Sequence, residues 1–341
     1  MCTARDRPWK SGSNQRPSFA MRSSPASGCM HTIRSCAIST CWSSHADVPM
    51  RSLPAFFTES QDAIARALDL MVPAPGTSAP FASQVTDAMR YTLLAPSKRV
   101  RAVVVLLAAD LCGHPSRALP AACAIEAIHA SSLILDDLPC MDDAPLRRGR
   151  PTVHTVYGEA IAVLAAFGLL NEAYRHLARS YDAPLAARLT TLCADAVGLD
   201  GLVEGQAEDV LATDATLNFE TLERIHRRKT GVLFSAAATA GALTAGGSAA
   251  DVAALTAYAK NLGLAFQVVD DLLDVIGTPE ETGKAVRHDA RKTTFVSFSG
   301  VDGARELAHE LCRTATLALA PFGQRAARLG ELADFVAARR L

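Results

Sequence analysis

From Phe56 onward the chain is a succession of apolar stretches at helical spacing, cut by Pro and Gly. No alternating pattern lasts long enough to build a sheet. The spacing predicts helices over 56–72, 81–94, 98–111, 119–138, 157–180, 183–208, 218–248, 250–276, 302–319 and 324–340. Pro73, Pro75, Gly76 and Pro80 separate the first two, and Pro139 and Pro151 break the middle of the chain. The nearest candidate for a strand, 294–299, is short. Composition agrees: 63 of 341 residues are Ala, the best helix former, while five are Tyr and two Trp. The expected fold class is all-α. A β-sandwich, a collagen-like chain and a fully disordered chain are excluded.

The first fifty residues differ. They hold six Arg/Lys against two Asp/Glu, ten Ser and four of the nine Cys, with no sustained apolar periodicity. Residues 51–341 hold 28 Arg/Lys against 33 Asp/Glu, so the net charge of −1 averages two unlike segments. We therefore expect a leader over 1–50 and one globular domain over 51–341. Three readings of the leader stay open. It is a disordered tail or an extension upstream of a true start near Met50. It is an organellar transit peptide, since Ser and Arg abound and acids are few. Or it carries a zinc cluster of Cys29, His31, Cys36, Cys41 and His45, which lacks the usual short Cys–Cys spacing. The other five cysteines stand singly and read as buried reduced thiols, giving a cytoplasmic location unless 1–50 is a transit peptide. Near-neutral charge gives no reason to expect nucleic acid as a partner. The uncharged run 230–250 is mostly Ala, Gly, Thr and Ser, and fits a buried core helix better than a transmembrane span.

Two carboxylate clusters carry the chemistry. The first is Asp136-Asp137-Leu138-Pro139-Cys140-Met141-Asp142-Asp143, and the second is Asp270-Asp271-Leu272-Leu273-Asp274. Each ends an apolar helical stretch. Asp270 and Asp274 share a helix face, where like charges repel. A solvated acidic face explains one such cluster; two in equivalent places point to a divalent cation with hard oxygen ligands, Mg²⁺ shared with substrate phosphate. Asp136 and Asp142 are six apart, off-face for a regular helix, but Pro139 lets a loop carry Asp142 back. Arg147-Arg148-Gly149-Arg150 follows at once, and Arg suits bidentate phosphate contact. Lys98, Arg99, Arg101, Lys229, Lys284 and Lys292 are further basic candidates.

These residues resemble the trans-isoprenyl diphosphate synthases (polyprenyl synthetases), in their bacterial and plastid-type geranylgeranyl and farnesyl diphosphate synthase form. The resemblance covers about residues 60–340. It rests on DDLPCMDDAPLRRGRPTVH (136–154), VEGQAEDV (203–210), RRKTG (227–231), LGLAFQVVDDLLD (262–274), GK (283–284) and HDARKTT (288–294). It implies the isoprenoid synthase fold, ten or more helices around a central cavity, and a homodimer. Asp136, Asp137 and Asp142 would ligate Mg²⁺ from one wall and Asp270, Asp271 and Asp274 from the other, with three ions once diphosphate is bound. Arg147, Lys229, Gln267 and Lys284 would hold the allylic diphosphate. Lys98, Arg101, His129 and Arg148 would hold isopentenyl diphosphate, although His129 also reads as a core histidine. Gln206 and Thr230 would aim oxygen dipoles at a carbocation. The chain departs from the family pattern at Pro96-Ser97 and Ala102, where Gly-Gly and Pro are usual, and at Ala166-Phe167, where Gly-Asp is frequent.

The implied reaction is a Mg²⁺-dependent head-to-tail condensation of isopentenyl diphosphate with dimethylallyl, geranyl or farnesyl diphosphate. Ionisation of the allylic C–O bond is followed by attack of the isopentenyl double bond and loss of a proton. Ser131 and Ser132, five and four residues before Asp136, occupy positions where farnesyl-forming members often place an aromatic stop. Small side chains there imply a C20 product, geranylgeranyl diphosphate, with farnesyl diphosphate as the alternative. A terpene cyclase would ordinarily carry a different second metal motif. A non-catalytic synthase subunit would tend to have lost Asp ligands that are present here.

Overall fold

The computed structural model describes residues 55–74, 80–212, 216–276 and 292–338, all within the unit Pro49–Leu341. The leader, Lys284 and the motif 283–284 lie outside the described residues. The helices are α1 Ala55–Met71, α2 Pro80–Leu93, α3 Val100–Leu111, α4 Leu119–Asp136, α5 Val153–Tyr157, α6 Glu159–Ser180, α7 Ala183–Val197 and α8 Leu202–Leu211. They continue as α9 Phe219–His226, α10 Val232–Thr244, α11 Ala249–Ile276, α12 Phe295–Ala318 and α13 Ala327–Ala337. The all-α expectation holds.

Helix α4 packs against α1, α2, α3, α6 and α10. Its residues Ala121–Ile128 are buried without interruption, which a helix tolerates only inside a core. Its middle is tied by a buried ion pair: Arg99 Nη1 donates to Glu126 Oε1 at 2.9 Å, and Arg99 Nη2 donates to the Leu93 and Ala95 carbonyls. Arg99, one of the basic candidates, thus fixes the α2–α3 turn to α4. The uncharged run 230–250 enters α10, where nine of thirteen residues are buried, and the chain then turns at Gly246, φ +73°. Two other helices, α4 and α11, are long and apolar enough to cross a membrane, but half or more of each tested window is buried in the fold.

Several boundaries differ from expectation, each at a turn-forming residue. The stretch 183–208 is two helices, parted at Gly198–Gly201. Gly158, φ +83°, divides α5 from α6. The strand candidate 294–299 is a helix start, because Thr294 and Ser297 form a reciprocal capping box. The one described sheet is a hairpin, Leu146–Arg147 against Arg150–Pro151. Its two turn residues, Arg148 and Gly149, have φ of +54° and +72°, as a type I′ turn requires. Cys140 is exposed, unlike the buried thiol expected, because it sits in the loop that Pro139 opens; Cys123, Cys193 and Cys312 are buried.

Candidate active site

Helix α4 ends at Asp136, and the chain then folds back. The Leu138 carbonyl accepts from the Met141 and Asp143 amides, and the Asp142 amide donates to the Asp136 carbonyl at 3.0 Å. This tight loop sets Asp142 beside Asp136 despite their separation in sequence. Asp137 is turned elsewhere. It is buried, and Arg147 Nε donates to both its oxygens at 2.7 and 2.9 Å. Burial alone would weaken the Arg147 charge, but Asp137 raises its pKa above the usual value. The hairpin supplies the geometry, since its turn at Arg148-Gly149 sends the strand back and leaves Arg147 facing α4.

Opposite Asp136 lies a single π-helical segment, Arg227–Gly231, between α9 and α10. Such bulges shift the register of side chains along a helix. Here two consecutive residues serve two walls. Lys229 Nζ lies 3.9 Å from Asp136 Oδ1 and 2.7 Å from Asp209 Oδ2 on α8. Thr230, buried, donates to Gln267 Oε1 on α11 at 3.1 Å. The segment approaches α8 closely because Gly205 has no side chain: a Cβ there would sit 2.4 Å from the Lys229 nitrogen. From just before α12, Lys292 Nζ bridges Asp142 Oδ1 and Asp209 Oδ2, both at 3.0 Å. Burial raises the pKa of Asp136. Burial acts the same way on Asp142 and Asp209, but Lys229 and Lys292 outweigh it and hold both below the ordinary carboxylate value.

Gln267 continues the line to the second cluster. Its Nε2 donates to Asp271 Oδ1 at 3.0 Å, and Asp271 Oδ2 accepts from the Phe295 amide at 2.9 Å, at the start of α12. Asp271 is therefore buried in a structural network, while Asp270 and Asp274 lie half-buried. Arg101 Nη1 is 3.2 Å from His129 Nε2, and its guanidinium rests on the Phe234 ring at 4.6 Å. Burial, then the nearby Arg101 charge, pushes His129 well below its ordinary pKa, so the ring is neutral. Lys98 is exposed and lies over the Phe335 ring; Arg148 is exposed at the hairpin turn. Gln206 Nε2 donates to Met141 Sδ, and its buried Oε1 has no partner among the described residues. Ser131 is buried and donates to the Ala166 carbonyl on α6 at 2.8 Å; Ser132 donates to the His129 carbonyl on its own helix.

Two site residues, Asp209 and Lys292, gain their place only from the fold. The sequence signal for Asp209 is its position three residues after Gln206 in VEGQAEDV, on the same helix face; Lys292 shows in sequence only as a basic residue.

The residues 82–312 match the polyprenyl synthetase family model. The chain belongs to the polyprenyl synthetase family. It is a trans-prenyltransferase with the isoprenoid synthase fold. Among curated members it is similar to the chloroplastic geranylgeranyl pyrophosphate synthase of Capsicum annuum, 42% identical over 83% of this chain and 78% of that one. It is 43% identical to the heterodimeric geranylgeranyl pyrophosphate synthase large subunit 1 of Arabidopsis thaliana, a chloroplastic protein, over 75% and 72% of the two chains. Among solved structures it is similar to a geranyltransferase of Helicobacter pylori complexed with magnesium and isoprenyl diphosphate. That match has 28% identity, a TM-score of 0.73, and covers 84% of this chain and 98% of that one.

Proposed function

We propose that the enzyme makes geranylgeranyl diphosphate from isopentenyl diphosphate and allylic diphosphates. The observation that carries the reading is the π-helical pair Lys229-Thr230, which sets an ammonium against the first carboxylate cluster and ties the second cluster's helix through Gln267. Clustered carboxylate oxygens fit Mg²⁺, a hard cation. Asp136 and Asp142 would hold it on one side and Asp270 and Asp274 on the other, with Asp137 and Asp271 as braces. Bound Mg²⁺, up to three ions with diphosphate, would neutralise the leaving group. Arg147, Lys229, Gln267 and Lys284 would grip the allylic diphosphate, and Lys98, Arg101, His129 and Arg148 the isopentenyl one. The free Gln206 carbonyl oxygen and the Thr230 hydroxyl would face the cation.

The C20 product rests on Ser131 and Ser132 and on the names of the plant relatives. Sizing the products formed from isopentenyl diphosphate with each allylic primer tests it; termination at C15 overturns it. Ser131→Phe is expected to shorten the product. Since Ser131 packs on Ala166, the same change must also push on α6.

Helix α6 leaves Leu164 and Phe167 on one face, 52% and 66% exposed. We propose that this face meets a second copy of the chain; Phe167→Glu would then shift the sedimentation mass from dimer to monomer. We further propose that residues 51–341 are the catalytic domain, that 1–50 are a separable leader, and that the enzyme is cytoplasmic. Full activity in the 51–341 fragment supports the boundary. N-terminal sequencing of native protein decides whether 1–50 is removed as a transit peptide would be.

A further inference from the structure

Asp209 Oδ2 takes hydrogen bonds from two ammonium groups at once, Lys229 Nζ at 2.7 Å and Lys292 Nζ at 3.0 Å. Each ammonium also faces a carboxylate of the first cluster: Lys229 faces Asp136 at 3.9 Å, and Lys292 faces Asp142 at 3.0 Å. The five side chains are 14% to 24% exposed, so water screens them weakly. They come from four separate places in the chain: the end of α4 with the loop that follows it, helix α8, the π segment and the approach to α12. Three carboxylates thus share two ammonium charges.

A cation that binds Asp136 and Asp142 must compete with those same ammonium groups. Asp209 is the only one of the three carboxylates that lies outside the first Asp-rich cluster and still holds both lysines. We propose that Asp209 is a positioning residue that shares Lys229 and Lys292 with the metal-binding carboxylates, weakening their hold on Asp136 and Asp142 so that a divalent cation can displace them, and keeping both ammonium groups set for the substrate diphosphate. Lys292 is then the placeholder that leaves Asp142 when the cation arrives. This rests on the reading of Asp136 and Asp142 as metal ligands.

Without Asp209, both lysines would fall fully on Asp136 and Asp142. Asp209→Asn should therefore weaken cation binding even though the residue touches no metal. Removing Lys292 should do the reverse. The combination separates this role from direct ligation, because only a competitor's removal can restore what Asp209→Asn lost.

The test is Mn²⁺ binding to the full-length, substrate-free protein, followed by electron paramagnetic resonance of the free ion. Lys292→Gln is expected to tighten binding roughly three- to tenfold and Asp209→Asn to weaken it by a similar factor. The double variant should return to within about twofold of wild type. Unchanged or weaker binding in Lys292→Gln overturns the proposal, even if Asp209→Asn fails to fold. So does a double variant as weak as Asp209→Asn, which would make Asp209 a ligand. Asp136→Ala is the separate control: retained wild-type binding there would overturn the ligand reading itself, independently of the cycle.

Discussion

Arg147 Nε donates to both carboxylate oxygens of Asp137, 2.7 and 2.9 Å away, and this contact joins the end of α4 to the hairpin that follows it. The second Asp of the first cluster is thereby committed to an arginine. Asp137→Asn replaces one acceptor oxygen by a donor and cannot keep the fork. The expected result is a rise of roughly tenfold in KM for the allylic diphosphate, because Arg147 is no longer aimed, with the Mg²⁺ dependence of the rate little changed. Asp136→Ala should instead abolish turnover. Steady-state kinetics at several Mg²⁺ concentrations distinguish the two residues.

Gly205 is a point of close approach between α8 and the segment carrying Lys229. Gly205→Ala puts a Cβ against backbone, not against a side chain that could swing away. The π segment must move, and Lys229 with it. Overpacking of this kind costs about 1–3 kcal/mol. Activity should fall further than stability does, since Lys229 faces Asp136. Urea denaturation read beside kcat checks this; a variant that loses stability but keeps full kcat would show that Lys229 tolerates the shift.

The Arg99–Glu126 pair predicts the largest purely structural effect. Both side chains are 5% exposed or less. Arg99→Met removes the arginine that directly pairs with buried Glu126 and leaves only the longer-range charges of Arg101 and Arg148, a loss on the order of 3–5 kcal/mol. The double variant Arg99→Met, Glu126→Gln should recover much of it, because no bare charge remains. Chemical denaturation of both variants is the measurement.

The helices, their apolar faces and the two acidic clusters were legible because each is a local pattern. Helical periodicity needs only neighbours in sequence, and Pro139 announced the loop that brings Asp142 to Asp136. What could not be read were features set by distant partners or backbone register. Nothing local says that Arg99 turns inward to Glu126 while its neighbour Lys98 stays exposed. Nothing local says that Asp137 is held by Arg147 and Asp271 by Gln267 and the Phe295 amide. The π turn at 227–231 inserts a residue that helical spacing cannot foresee. Lys292 reaches Asp142 across 150 positions, and only the fold puts them together. The hairpin escapes a sequence pattern because two residues per strand are too few for alternation, although Arg-Gly between Arg147 and Arg150 is turn chemistry.

His226 gives a pH prediction. Its ring is packed on Phe295, 5.2 Å between centroids, and neither nitrogen has a partner among the described residues. Burial, only partly opposed by Asp209, pushes its pKa from 6.5 down to about 4. The unfolded chain therefore binds a proton between these values that the folded chain refuses. Stability is unaffected above pH 6.5, falls as pH drops from 6.5 toward 4, and levels off below, for a loss of about 3 kcal/mol from this residue. His129, also depressed, adds to the same slope. The lowered Asp142 and Asp209 act in a different window: their contribution is present above the unfolded value of 3.8 and is lost only below it. Asp136, raised by burial, works in the opposite direction, alike in wild type and variant. His226→Leu removes the titrating ring without orphaning a hydrogen-bond partner. Its urea midpoint should equal or exceed wild type at pH 7.5 and decline less steeply between pH 6.5 and 4.5. Identical slopes in the two proteins would show that His226 gains a proton in the folded state.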